Sequence, residues 1–163
     1  MEFREMRRKR QQLSDEDCLA ILERSTSGTL ALLGDNDYPY AVPISYVYAN
    51  NSLFFHSALS GHKIDAIKNH DKASFCIIDK DEIHGDEYTT YFRSVIAFGQ
   101  IMIIEDPSEK LIAAQMLGRK YNPGQEKALE KEIKKGFSRM AIIRMEIEHV
   151  TGKEAIELVR MKR

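Results

Sequence analysis

The sequence predicts a mainly β fold, an antiparallel barrel of six or seven strands with peripheral helices. Apolar and β-branched segments of strand length recur along the chain, and the first three are joined by connections of only a few residues. Parallel strands need crossovers of a dozen or more residues, so these strands pair antiparallel. Helical periodicity is limited to a few short segments, which favours a closed or nearly closed barrel over a layered α/β architecture.

Length and charge narrow the class of protein. The 163 residues form one predicted domain, 1–163, without a repeat or a linker. Lysine and arginine number 24 against 25 acidic residues, so no global basic field attracts nucleic acid. A local basic run at 4–10 lies within the predicted N-terminal tail or arm, 1–12, and is typical of a solvated terminus.

The N-terminus and the cysteines predict the compartment. The chain has neither a signal-peptide core nor an apolar stretch near the roughly 20 residues that cross a bilayer. Cys18 and Cys76 match no disulfide framework, so we expect two reduced thiols. The histidines show no zinc-motif spacing, and no metal site is predicted. These observations predict a cytoplasmic protein with no membrane partner.

The first half of the chain predicts a helix followed by three strands. Ser14 and Asp17 resemble a capping box ahead of an amphipathic pattern. The sequence Gly-Asp-Asn-Asp at 34–37 and the pair Asn-Asn at 50–51 are turn residues between apolar or alternating segments. The predicted elements are a helix at 14–24, strands at 29–33, 40–48 and 52–56, and a short helix that begins near Gly61.

The second half alternates longer strands with helices. Five acids and a histidine make 79–87 polar, and we interpret this segment as an exposed loop. Gly99 stands inside a long strand, where a glycine indicates a bulge or a sharp bend. Pro107 is suited to open a helix. The predicted elements are strands at 73–78, 89–104 and 140–150, helices at 107–120 and 125–135, and a last edge strand within 151–163.

Residues 53–67 carry the most functional information. An apolar strand ends in a Ser/Gly loop, and Lys63 stands where the next helix begins. The first amides of a helix lack intrahelical partners and carry about half a positive charge, so a phosphate there satisfies both the donors and the dipole. The lysine adds a full charge. The segment therefore predicts a phosphate site, and a cofactor phosphate would require a flat apolar surface beside it.

Three segments carry a resemblance to a known family. They are Tyr-Pro-Tyr-Ala-Val-Pro-Ile at 38–44, Phe-His-Ser-Ala at 55–58 with Gly-His-Lys at 61–63, and Ser-Val-Ile-Ala-Phe-Gly at 94–99. In this order and on these elements, the chain resembles the FMN-binding split barrels of the pyridoxamine phosphate oxidase superfamily. The branch that it resembles most is that of the nitroimidazole-resistance proteins. The resemblance extends from Met6 to Lys153.

This resemblance implies FMN bound at the interface of a homodimer. Pro43, which donates no amide, belongs at a sheet edge or beside a ligand. His62 stands where other members have an arginine, which implies weaker or more pH-sensitive phosphate binding. The implied contacts are Ala41, Val42, Pro43, Ile44, Ser45 and Tyr46 along the flavin, His56 and Ser57 at ribityl or phosphate oxygens, His62 and Lys63 at the phosphate, and Ser94 at the flavin.

The same residues have plainer interpretations. Lys63 is compatible with a surface position, and His56 with a hydrogen-bonded core site. Ser57 and Ser60 can simply cap the helix that follows them. Core or dimer packing is the ordinary role of an aromatic stripe on one strand face. Such a stripe is formed here by Tyr40, Tyr46 and Tyr48.

Two functions remain open from the sequence. The first is a flavoprotein oxidoreductase that reduces a small nitroaromatic or quinone-like acceptor, as the resemblance implies. Hydride transfer itself needs no side-chain acid, so no catalytic residue is nominated. The alternative is a noncatalytic flavin- or haem-binding storage or sensor protein, with His56 or His149 as the axial haem ligand. Pyridoxamine phosphate oxidase activity itself is disfavoured, because the chain lacks tryptophan and the family's C-terminal Arg-Leu pattern.

Overall fold

Seven strands form one antiparallel sheet in the computed structural model, which describes residues 2–162. The strands are β1 (Ser27–Leu33), β2 (Pro39–Ser45), β3 (Val47–Ala49), β4 (Ser52–Ala58), β5 (Lys72–His84), β6 (Thr89–Ile103) and β7 (Met140–Glu154). Their order across the sheet is β2, β1, β5, β6, β7, β4, β3. The two edge strands, β2 and β3, are separated in sequence only by Tyr46. The sheet therefore curls until its edges meet, which gives a split barrel and confirms the predicted fold class.

The helices lie at the periphery of this barrel. Among the described residues they are α1 (Asp15–Arg24), α2 (His62–Asn69), α3 (Pro107–Tyr121), α4 (Glu126–Gly136) and α5 (Ile156–Met161). Ser14 Oγ accepts the amide proton of Asp17 at 3.1 Å, and a carboxylate oxygen of Asp106 accepts that of Glu109 at 2.8 Å. These side-chain caps fix the starts of α1 and α3. The first four helices confirm the sequence prediction.

Two hydrophobic cores result from the alternation of side chains along β4 and β7. Phe55 and Ile143 point into the main core inside the barrel, where Phe55 meets Phe75 edge-on at 5.3 Å. Their neighbours Phe54 and Ile142 point to the opposite face and pack beneath α3 and α4. Both faces are therefore covered at this point of the two strands, and the helix pair α3–α4 lies over one side of the barrel.

One predicted strand is two strands in the structure. The prediction of a continuous strand at 40–48 is wrong, because β2 ends before Tyr46 and β3 begins after it. The Tyr46 side chain is fully buried, and its hydroxyl donates to the Leu22 carbonyl at 2.6 Å. The chain bends here because β2 pairs with β1 at one sheet edge and β3 pairs with β4 at the other. The alternating residue pattern continues through the bend and does not reveal it.

The predicted exposed loop at 79–87 is also wrong over 79–84, and only residues 85–87 form an exposed turn. β5 continues to His84, which pairs with Thr89 of β6 across a tight turn. The register shifts between Ile78 and Lys80, and beyond that point the hairpin extends past the hydrophobic core. Both faces of the hairpin can then be polar, and this polar composition is why the sequence predicted a loop. Pairing with β6 nevertheless keeps the segment in a strand.

The third wrong prediction is the edge strand within 151–163. β7 runs on to Glu154, and α5 follows it. Residues 151–154 continue the pairing of β7 with β6, and the chain then turns into the helix. Gly152 lies against α1, where an added Cβ would come within 2.6 Å of Cys18 Sγ.

Two predictions about special residues are confirmed. The pairing of β6 with β7 shifts register between Phe98 and Gly99, which is the predicted bulge. A Cβ at Gly99 would collide with the carbonyl oxygen of Glu146. Pro43 lies in β2, an edge strand that pairs only with β1. An edge strand tolerates proline, because the position of its missing amide proton can face away from the partner strand.

The N-terminal segment follows the end of β7 as an arm. Gln11 Nε2 donates to the Glu154 carbonyl at 2.9 Å, and the Phe3 ring stacks on His149 with centroids 4.5 Å apart. The basic side chains of 4–10 are exposed on this arm. Met1 and Arg163, the two ends of the predicted domain, lie outside the described residues.

Three further observations bear on the predicted class of protein. Within residues 2–162 no helix is both long enough and apolar enough to cross a membrane. The same residues contain no group of three His, Cys, Asp or Glu side chains arranged to hold a metal ion. Cys18 is buried and Cys76 is half-buried, and both are free thiols.

Candidate functional site

The loop 57–61 and the start of α2 form the first part of the candidate site. Gly61 has φ +128°, a conformation that favours glycine, and a Cβ there would meet no atom within 4 Å. The first amide bonded within α2 is that of Asp65, which donates to the Gly61 carbonyl at 3.0 Å. No described side chain caps this helix, unlike α1 and α3. The amides of 62–64 are therefore available as donors beside an open space.

Lys63 adds a positive charge beside these amides. Its Nζ lies 3.5 Å from Ser57 Oγ, and in the described chain it forms no ion pair with a carboxylate. Partial burial without a compensating acid lowers the pKa of Lys63 below 10.5. An anionic ligand would supply the partner that the described part of the chain does not provide.

His62 packs against the turn between β1 and β2. Its ring stacks on Tyr40 with centroids 4.0 Å apart, and Nε2 accepts the amide proton of Asp35 at 3.2 Å. In the neutral ring the proton then resides on Nδ1, which is available to donate to a ligand. Gly34 leaves room for this ring, since a Cβ there would lie 2.8 Å from Nε2. His62 thus links α2 to the edge strand β2.

β2 presents a strip of small side chains to solvent. Ala41, Pro43 and Ser45 are exposed, whereas Val42 and Ile44 are half-buried and pack on the main core. This alternation follows from the two-residue period of a strand. The strip is flat and uncharged, which suits the stacking of a planar ring, and the open side of an edge strand offers backbone groups for hydrogen bonds. We call Ala41, Pro43 and Ser45 the β2 strip.

Tyr46 is placed differently from the other implied contacts. Its side chain is fully buried, and burial raises the pKa of its hydroxyl above the ordinary value. Its amide donates to Tyr121 Oη at 2.9 Å, and its carbonyl accepts from Lys120 Nζ at 3.0 Å. All its polar groups are already bonded within the protein. The structure therefore does not support Tyr46 as a ligand contact.

Ser94 lies apart from these residues. It is half-buried on the outer face of β6, opposite Ile78 of β5 and Lys153 of β7. β1 and β5 separate it from β2, which corresponds to roughly 14 Å across the sheet at normal strand spacing. Within one copy of the chain, Ser94 does not join the β2 strip.

The outer sheet face between the β2 strip and Ser94 carries no charged side chain in the described segments 27–31, 41–45, 74–78 and 94–98. Ile78 is 70% exposed there and Ile96 is 36% exposed. A large uncharged face of this kind is typical of an interaction surface. We call it the uncharged face. Its residues are Ser27, Thr29, Ala31, Ala41, Pro43, Ser45, Ser74, Cys76, Ile78, Ser94, Ile96 and Phe98.

His56 and Ser45 border an apolar cleft beneath α3 and α4. His56 is exposed on β4 and is therefore not a core histidine. The cleft has a volume of about 480 Å³ and is lined mainly by apolar side chains. We call it the α3/α4 cleft. Its lining includes Ala114, Leu117, Leu129, Ile133, Met140 and Ile142.

Sequence reasoning missed both this cleft and a latch at the end of α3. Tyr121 Oη lies within hydrogen-bond distance of the carbonyls of Thr26 and Tyr46, which share its single proton, while Lys120 Nζ lies 4.1 Å from the centre of the Tyr46 ring. Partial burial lowers the pKa of Lys120. The latch holds the end of β2, and with it Ser45, at the border of the cleft. These contacts join residues 75 and 95 positions apart, so no local sequence signal could have identified them.

Comparison with known proteins decides the family. The model of the pyridoxamine 5'-phosphate oxidase family matches residues 14–154. The chain belongs to this family. The match spans all seven strands and every candidate site residue, so the whole barrel belongs to the pyridoxamine 5'-phosphate oxidase family.

One curated relative and several solved structures are similar to this family member. A Rhizobium meliloti protein described as uncharacterized is 28% identical over 150 residues, which covers 88% of this chain and 93% of the relative. The conserved hypothetical protein Rv2991 of Mycobacterium tuberculosis superimposes with a TM-score of 0.80 at 15% identity, covering 92% of this chain and 90% of that one.

Two further structures have descriptions that name a ligand or a phenotype. A candidate 5-nitroimidazole antibiotic resistance protein of Bacteroides thetaiotaomicron has a TM-score of 0.71 at 19% identity, covering 88% and 86% of the two chains. An FAD and haem binding protein of Mycobacterium smegmatis has a TM-score of 0.75 at 20% identity, covering 89% and 73%. At these identities the similarity establishes the fold alone.

Proposed function

We propose that this protein binds FMN, with the phosphate on the loop 57–61 and the start of α2. The observation that carries the proposal is Lys63, a half-buried cation that has no acidic partner among residues 2–162 and lies 3.5 Å from Ser57 Oγ, beside helix amides that no side chain of those residues caps. A phosphate dianion would pair with the lysine, accept from the amides and interact favourably with the helix dipole. His62 Nδ1 would add a neutral donor.

The β2 strip supports the assignment of the ring. Ala41, Pro43 and Ser45 offer a flat floor for an isoalloxazine, and the neighbouring edge backbone offers hydrogen bonds to its polar edge. His62 connects the two parts, because it belongs to α2 and stacks on Tyr40 of β2. FMN is preferred over FAD because a terminal phosphate fits a site with one lysine and a single helix start.

A homodimer completes this site in our proposal. The uncharged face joins the β2 strip to Ser94, and pairing two such faces would cover Ile78 and Ile96. Ser94, which is remote from the β2 strip within one chain, then contacts the flavin held by the other copy. This arrangement places the flavin at the interface.

An oxidoreductase is the activity that this arrangement favours. Bound FMN supplies hydride and single-electron transfer, while the protein holds the phosphate, positions the ring and excludes water. A small nitroaromatic or quinone-like molecule is the proposed acceptor. The similarity to the Bacteroides protein supports the nitroaromatic class and the nitroimidazole-resistance branch.

A second candidate function is noncatalytic binding of flavin or haem. The exposed His56 at the border of an apolar cleft favours it, since haem needs an axial ligand within apolar surroundings. The Mycobacterium smegmatis protein, described as binding FAD and haem, shares the fold. His149 is less suited, because its ring is stacked beneath Phe3.

Anaerobic reduction separates the two functions. Protein loaded with FMN is mixed with NADH or NADPH under argon, and the flavin absorbance is followed before and after addition of a nitroimidazole. The oxidoreductase predicts bleaching by one nucleotide and recovery of the flavin bands by the nitro compound. Absence of bleaching by either nucleotide contradicts it, and an intense Soret band in the purified protein would favour haem binding.

A further inference from the structure

We propose that the α3/α4 cleft binds an uncharged, planar aromatic molecule. The role of the cleft as the site of the electron acceptor rests on the proposed flavin function. Binding of the aromatic molecule to the cleft does not depend on that function. The cleft holds about 480 Å³ and is bounded by α3, α4, β4 and β7. A cavity of this size and apolar lining accommodates a one- or two-ring aromatic compound.

The charge of the cleft determines the class of ligand. Glu132 is the single acid among the described lining residues, and no lysine or arginine is among them. His56 and Ser45 provide the hydrogen-bonding groups, since the Tyr121 hydroxyl is already engaged in the latch. A carboxylate or phosphate entering the cleft would lose its hydration without gaining a cation and would meet Glu132 at the same time. Neutral molecules do not incur this cost.

The position of the cleft connects it to the proposed flavin. Ser45 and His56 both line the cleft. Ser45 belongs to the β2 strip, and His56 directly precedes Ser57 of the proposed phosphate site on β4. The flavin itself is not the expected occupant, because its phosphate requires Lys63, which does not line the cleft. A molecule in the cleft would therefore abut the flavin site from the side of α3 and α4.

A nitro group illustrates the chemistry that this placement allows. Bound FMN would supply the two electrons that, together with two protons, reduce an aromatic nitro group to the nitroso group with release of one water. NADH or NADPH supplies the electrons to the flavin in the proposed function. The cleft's contribution is to hold the acceptor among apolar side chains beside the proposed flavin site.

Gly136 offers a way to fill the cleft without disturbing the fold. It is the last residue of α4 and lines the cleft, and its φ of −103° is accessible to any residue. A Cβ at Gly136 would meet a single atom within 4 Å, Met140 Cε at 3.9 Å. Gly136→Leu therefore introduces a branched side chain at the wall of the cleft, where there is room for it. Gly85→Leu, in the turn between β5 and β6, is the matched control, because a Cβ there meets no atom within 4 Å.

The test compares 4-nitrobenzamide with 4-nitrobenzoate, which have nearly the same shape and differ in charge. Calorimetric titration of the apo and the FMN-loaded protein is expected to show the amide binding more than about tenfold tighter than the anion. Glu132→Gln is expected to narrow this difference about fivefold, the effect of one exposed charge at contact distance. Gly136→Leu is expected to weaken amide binding about tenfold and leave FMN affinity unchanged. Gly85→Leu is expected to change neither.

Three results would overturn the proposal. They are equal affinity for the amide and the anion, amide binding that Gly136→Leu leaves intact, and a loss of FMN affinity in Gly136→Leu. The last result would mean that the flavin itself occupies the cleft. Failure of the flavin function is distinguishable, because FMN would then not bind the unmodified protein while amide binding to the apo protein remains measurable.

Discussion

Replacement of Lys63 by methionine separates ligand binding from folding. Methionine keeps an unbranched apolar side chain of similar length and removes the ammonium group. The Lys63 Nζ touches Ser57 Oγ at 3.5 Å and has no acidic partner in the described residues, so the apo protein loses little when the charge disappears. A bound phosphate, in contrast, loses a charge-assisted hydrogen bond.

The expected magnitude follows from that contact. A hydrogen bond to a charged group contributes about 1.5–3 kcal/mol, so FMN affinity should fall about 10- to 100-fold in Lys63→Met. Fluorescence quenching of FMN on titration with apo protein measures this change. Lys68→Ala is the matched control, because Lys68 is exposed in the last turn of the same helix. Unchanged FMN affinity in Lys63→Met, or an equal loss in Lys68→Ala, would refute the phosphate role.

Lys63→Met should leave the folding stability of the apo protein unchanged or raise it, although it weakens FMN binding. Burial lowers the folded-state pKa of Lys63 below 10.5, so the folded apo protein disfavours the charged form relative to the unfolded chain. That cost is present at neutral pH and disappears as the pH rises through 10.5. Thermal unfolding of apo Lys63→Met at neutral pH should therefore occur at the same temperature as in the unmodified protein or above it. FMN affinity should decrease as Lys63 loses its proton at alkaline pH, and in Lys63→Met this decrease should be absent.

Three further predictions concern the surroundings of the site. Thr29→Arg introduces a charge into the uncharged face and should convert the proposed dimer to a monomer with weakened FMN binding; a dimer in light scattering would contradict the interface. Gly34→Ala should displace the His62 ring and destabilise the protein by about 1–3 kcal/mol in urea unfolding, because a Cβ would lie 2.8 Å from His62 Nε2 and 2.9 Å from the Cβ of Tyr40, which cannot swing aside without its strand. Tyr121→Phe removes the hydroxyl that bonds the Tyr46 amide and should cost about 1–3 kcal/mol in the same assay, while unchanged stability would show that the latch is dispensable.

Local features of the sequence predicted most of the fold. The Ser14 cap, the turn residues at 34–37 and the glycine bulge at Gly99 depend on neighbouring residues or on one backbone position, and each lies where it was expected. The loop 57–61 with Lys63 at the start of α2 belongs to the same class of local feature, since a helix start and its first residues are adjacent in sequence. Such features can be recognised without knowledge of the tertiary structure.

Features that depend on the closed sheet could not be predicted in this way. The bend at Tyr46 exists because two strands of one segment occupy opposite sheet edges, and the strand at 79–84 exists because β6 supplies its partner. Prediction of the bend and of the strand would have required the order in which the strands pair across the sheet. The latch at Tyr121 and the α3/α4 cleft combine residues distant in sequence, and the residue types involved are common in any helix.

Equilibrium titration of the apo protein with FMN and with riboflavin tests the central claim most directly. The two ligands share the ring and the ribityl chain and differ only in the phosphate. If the phosphate is held by Lys63 and the amides of 62–64, FMN should bind more than about a hundredfold tighter than riboflavin, the effect of two charge-assisted hydrogen bonds. Equal affinity for the two ligands, or no binding of FMN, would contradict the account.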